Sequence, residues 1–176
     1  MRTSLTTWTV LSAGLVLMIA GCGGSSSNEA EAVENDSIWQ AAADGRVEAV
    51  RQSIAAGADI NGTFVLEGVP GSGGSPLHLA ALAGQADMVD WLIGVGANLD
   101  VRADDEYGGT PLHWAAAFGE AEVAEMLIDA GANVNAGDNT GYTPLDAAML
   151  GLSGDAEATG RVQRVLISNG AVTRDG

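Results

Sequence analysis

His78 and His113 are the chain's only histidines, and imidazole is both a common metal ligand and a common general base. They stand 35 residues apart, each directly after a Ser/Thr-Pro-Leu tripeptide: Ser75-Pro76-Leu77 and Thr110-Pro111-Leu112. A zinc site needs three or four ligands, and the single cysteine, Cys22, is not free to join them. Two acidic stretches, Asp104-Asp105-Glu106 and Asp138-Asn139-Thr140-Gly141, invite a calcium reading. Neither has the alternating oxygen ligands, the sixth-place glycine and the closing glutamate of a calcium loop. The glycine-rich run Gly68-Val69-Pro70-Gly71-Ser72-Gly73-Gly74 is not followed by Lys-Ser/Thr, so it is no phosphate cradle. The serines have no histidine beside them to activate a hydroxyl. The expectation is a chain with no catalytic residue, no metal ligand, no cofactor and no enzyme activity of its own.

The elements that carry these residues repeat. Ser75-Pro76-Leu77, Thr110-Pro111-Leu112 and Thr143-Pro144-Leu145 start 35 and then 33 residues apart. Each is followed by Gly-Ala, at Gly96-Ala97, Gly131-Ala132 and Gly170-Ala171. A period of this length signals stacked units, none of which has a core of its own. Ser75, Thr110 and Thr143 sit where a helix N-cap belongs, with proline at the first helical position. A short alanine-rich helix follows, stopped by Gly84 or Gly119. A second helix opens on acids (Asp87; Glu120 and Glu122), which suit the positive end of its dipole. Its apolar face carries Met88, Val89, Leu92 and Ile93, or Val123, Ala124, Leu127 and Ile128. Small alanines let neighbouring units approach closely.

Thr-Pro-Leu-His, paired alanines, glycine, an apolar helix and a closing Gly-Ala with Asn98, Asp100, Asn133 or Asn135 resemble the ankyrin repeat. The resemblance covers roughly 38–174. It implies an all-α solenoid of about four helix-turn-helix units with hairpin-like loops between them, at about 37–61, 75–100, 110–135 and 143–174. It also implies that His78 and His113 tie loop backbone together, and that Asp138 and Gly141 form the repeat's own Asp-x-x-Gly turn. The first unit lacks Thr-Pro, and the fourth has Asp146 in the histidine place with about six extra residues around Gly154-Asp155-Ala156-Glu157. Both departures fit end units that present a face to water.

Residues 1–21 read as a signal peptide: Arg2, then an apolar stretch from Trp8 to Ala20, too short to span about 30 Å of hydrocarbon. Ile19-Ala20-Gly21-Cys22 resembles a bacterial lipobox, which implies acylation of Cys22 and attachment to a membrane through several acyl chains, since one binds only marginally. Residues 22–36 then form an acylated cysteine and a flexible acidic tether, and 37–176 the repeat domain. The fourteen residues after Cys22 span roughly 20 Å on average and reach about 46 Å when extended. Gly23 after the cysteine resembles the outer-membrane sorting pattern, a resemblance that implies a place in the bacterial envelope, in the outer membrane facing the periplasm.

The formal charge is −16 and there is no lysine, so nucleic acid and anionic head groups are discounted as partners. In the resembled family, partners touch loop tips and the first helix of each unit. Carried over, this selects Asp104, Glu106 and Tyr107 at one tip, and Asn139, Thr140 and Tyr142 at the next. On the first helices it selects Leu82, Ala83, Ala117, Phe118 and Leu150. Tyr107, Tyr142 and Phe118 are the aromatic anchors expected at an interface. The loop from Gly62 to Gly74 carries Phe64, Val65, Leu66 and Val69, either a lid folded over the first unit or an apolar finger. The expectation is a monomeric, non-catalytic, lipid-anchored module that binds another protein. The alternatives are a small-ligand or cation binder using the acidic tips, and a regulatory subunit of an envelope enzyme.

Overall fold

The computed structural model describes residues 37–64 and 72–176. Within them lie eight helices and no strand: α1 (Ile38–Ala43), α2 (Val47–Ala55), α3 (Pro76–Leu82), α4 (Ala86–Gly94), α5 (Pro111–Phe118), α6 (Ala121–Asp129), α7 (Pro144–Leu150) and α8 (Ala156–Ser168). They form four antiparallel pairs. The odd helices pack in one row, α1 on α3 on α5 on α7, and the even helices in another, α2 on α4 on α6 on α8. The residues expected to form the signal peptide, the acylated cysteine and the tether lie outside the described residues, as do Val65, Leu66 and Val69. No described helix is long and apolar enough to cross a membrane.

The expected punctuation governs the helices. Ser75, Thr110 and Thr143 each cap a helix whose first residue is proline, and each forms a capping box with the residue three places on. Ala41, Ala42, Ala80, Ala81, Ala115, Ala116 and Ala148 are buried, so the odd helices approach along a surface of methyl groups. The even helices supply the larger side chains, Val50, Met88, Leu92, Val123, Leu127, Val162 and Leu166, all inaccessible to solvent or nearly so. One core runs unbroken from Ile38 to Leu166. Asn35–Gly176 is a compact unit containing all of it, which makes the unit able to fold without the residues before it.

The six extra residues of the fourth unit have two destinations. The link between α7 and α8 grows to residues 151–155, and α8 has 13 residues where α4 and α6 have 9. Asp155 caps the longer helix, accepting from the N–H groups of Glu157 (2.8 Å) and Ala158 (3.2 Å).

Candidate functional site

The loop between the second and third units is shaped by one carboxylate. Asp105 Oδ1 accepts from the backbone N–H groups of Tyr107 (3.0 Å) and Gly108 (2.6 Å). One unit later Asp138 Oδ1 accepts from the N–H groups of Thr140 (2.7 Å) and Tyr142 (2.9 Å) and from the Thr140 hydroxyl (2.7 Å). Gly108 (φ 60°) and Gly141 (φ 85°) take the left-handed geometry that completes each turn. Partial burial works against the charged form of Asp138, yet these donors outweigh it and hold its carboxyl below the usual range.

Each tip is then fastened to its neighbours. Asp104 N–H donates to Gly73 O (2.7 Å), and Asn139 N–H donates to Tyr107 O (2.8 Å). Arg102 reaches across two tips, donating to Gly108 O (2.9 Å), to Asn139 Oδ1 (3.4 Å) and to Gly137 O. Further back, Asn61, Asp100 and Asn135 each accept from a backbone N–H of the next unit, at Asn98 (2.8 Å), Asn133 (3.0 Å) and Val172 (2.9 Å). The tips are a tied row.

The residue in the histidine place sets each unit against the loop that follows. The N–H of Ser75 donates to His78 Nδ1 (3.1 Å), so that nitrogen carries no proton; the Ser75 hydroxyl lies 2.9 Å from the same nitrogen, so one serine does have a histidine beside it, contrary to expectation, but both are fully buried. The proton is on Nε2, which donates to Gly109 O (3.0 Å). His113 repeats this, with Nδ1 accepting from Thr110 N–H (3.1 Å) and Nε2–H donating to Tyr142 O (3.0 Å). Burial lowers the pKa of both imidazoles, that of His78 to about 4. The implied tying role of the two histidines is what their bonds describe. In the first unit Trp39 occupies the equivalent place, and its indole N–H donates to Gly62 O (2.9 Å). In the fourth, Asp146 Oδ2 accepts from Thr143 N–H (2.9 Å) and from Arg174 N–H (2.8 Å). Imidazole donates forward, whereas the carboxylate accepts from what comes next. Sequence reasoning missed Trp39, Arg102 and Arg174; the first was recoverable from its position alone.

The residues singled out for partner contact fall into three groups. Tyr107 (57% exposed), Leu150 (61% exposed), Asp104, Glu106 and Thr140 face solvent. The Glu106 carboxylate accepts from the Tyr107 hydroxyl and raises its pKa. Leu82 and Phe118 are half-buried at the ends of odd helices, as is Ala83 just after α3. The remaining three are already engaged. Asn139 is exposed, but its amide donates to Glu106 O (3.3 Å) and its oxygen takes Arg102, so it braces the row. Tyr142 is half-buried, with the Arg174 guanidinium 4.4 Å above its ring. Ala117 is buried, not exposed as expected, because the stack closes over it.

The other aromatics pack. Trp114 sets its edge against His78 with ring centroids 4.9 Å apart. Trp91 lies under Arg51 (5.4 Å) in a shallow groove with Ile54, Ile60 and Val95. Phe64 leans on Trp39, with centroids 5.5 Å apart, and its N–H donates to Gly74 O (3.3 Å), so the base of the 62–74 loop is folded back. Among the described residues no three His, Cys, Asp or Glu side chains converge as a metal site.

Helix pairs stacked in register, with one tied row of loop tips, define a helical-repeat solenoid. The family model described as ankyrin repeats (3 copies) matches residues 38–138 and again 103–170, and the chain belongs to that family. No curated protein matches it.

Proposed function

We propose that this chain is a membrane-anchored, extracytoplasmic ankyrin-repeat module that holds another protein and performs no chemistry itself. The observation that carries the reading is the pre-formed row of tips. Its backbone is fixed by Asp105, Asp138 and Arg102, while Tyr107, Asp104 and Glu106 remain in solvent on it. A partner meeting this surface loses little conformational entropy on the module's side, and a rigid exposed tyrosine is a good anchor. Leu82 and Phe118 on the odd helices extend the contact. The imidazoles are held neutral with both nitrogens in hydrogen bonds, which leaves neither ready to serve as a base.

The anchoring half of the proposal rests on Ile19-Ala20-Gly21-Cys22 and the tether after it. Acylation at Cys22 places the module at an envelope membrane, in the outer membrane facing the periplasm, with the repeats within a tether's reach of the surface. Metabolic labelling with a clickable fatty acid tests it. Wild-type chain takes up label and fractionates with membranes; Cys22→Ser does neither. Equal labelling of both would end the anchoring claim without touching the binding claim.

A further inference from the structure

The two ends of the stack differ. Among the described residues seven large apolar side chains are exposed, and five of them, Met149, Leu150, Leu152, Ile167 and Val172, belong to the fourth unit; none belongs to the first. Register shows which side they face. Met149 is the fifth residue after its helix-opening proline, as are Ala81 and Ala116, which are fully or almost fully buried where Met149 is 63% exposed. Ile167 stands three residues before its Gly-Ala, as do Ile54, Ile93 and Ile128, which are half-buried against the core. These positions lie on the side that a following unit would cover. Repeat arrays need polar end faces for solubility, and here that face is apolar.

Charge indicates what covers it. Residues 37–142 carry fifteen acids and three arginines, whereas residues 143–176 carry four acids and three arginines. Two copies meeting elsewhere bring strongly negative surfaces together; two fourth units meet almost without repulsion. Among the described residues the first unit offers no exposed large apolar side chain for a second copy to meet, whereas two fourth units present the same apolar face to each other, which favours a closed two-fold pair. We infer that the outer face of the fourth unit is a self-association surface, and that its occupant is the same face of a second copy of this chain. This replaces the monomer expected from the sequence, and it does not depend on the partner-binding role of the tips.

Sedimentation equilibrium on residues 35–176, from about 1 to about 200 µM, tests it. The expected result is a concentration-dependent dimer. Met149→Glu with Ile167→Glu, both at exposed positions, weakens it roughly 100-fold, because a two-fold interface counts each change twice. Leu150→Glu weakens it as well, and Val95→Glu, on the exposed surface of the second unit, leaves it unchanged. At concentrations low enough for the wild type to be monomeric, circular dichroism melts of the variants superpose on it. Added salt tightens the dimer by screening the acidic remainders. A monomer at every concentration hands the face to a different protein and overturns the inference. A dimer indifferent to the fourth-unit substitutions, or one loosened by salt, overturns it too.

Discussion

Because His78 is fully buried and titrates near 4, acidification between neutral pH and that value should weaken the fold before most carboxylates respond. The perturbation is a proton. In the unfolded chain His78 binds it with a pKa of 6.5; in the folded chain Nδ1 is occupied by Ser75 N–H and the ring has no water. Between the two values the unfolded state holds more protons, so stability rises with pH, is complete above about 6.5, and is lost as pH falls toward 4. The loss from His78 is about 2 kcal/mol by pH 5 and about 3 kcal/mol by pH 4. His113, depressed by the same burial, adds in the same direction. Urea unfolding of residues 35–176 at pH 7, 6 and 5 measures the slope. His78→Gln starts less stable, keeps the share due to His113 and loses the share due to His78. An NMR titration placing the folded His78 imidazole above pH 6, or identical pH slopes for wild type and His78→Gln, would refute the reasoning.

Other consequences follow from single contacts. Trp39→Phe keeps the ring on Phe64 but leaves Gly62 O without its indole donor, and should cost about 1 kcal/mol in thermal unfolding. Gly73 has a φ of 104° and a Cβ there would come within 2.6 Å of the Asp104 carbonyl carbon, so Gly73→Ala should cost about 1–3 kcal/mol and loosen the junction between the first two loops in hydrogen exchange. Tyr107→Ala, on an exposed ring, should change stability by less than about 0.5 kcal/mol while abolishing partner capture. Loss of the fold in that variant would show the ring to be structural instead.

Much of this was legible in the residues themselves. Ser/Thr-Pro-Leu-His encodes the cap, the first helical turn and the imidazole that reaches the next loop, all within four positions, and short-range chemistry of that kind repeats with the period. What the period could not convey were pairings between units. Tyr142 reads as a free aromatic beside a polar loop, and Arg174, 32 residues on, lies over it. Asn139 reads as a tip residue, and Arg102 from the previous unit claims it. The fourth unit reads as a water-facing end because its sequence departs from the repeat. Its departures, Met149 in an alanine place above all, instead leave it apolar. That difference emerges only when its exposure is set beside the buried Ala81 and Ala116.

The row of tips as a protein-binding surface is tested most directly by site-specific photo-crosslinking in the native cells, with a photoreactive residue at position 107 and, as control, at position 95. Both sites are exposed, but only the first lies on the row. Position 107 should yield one dominant crosslinked protein that position 95 does not. No crosslink at 107, or the same products from both sites, would contradict the account.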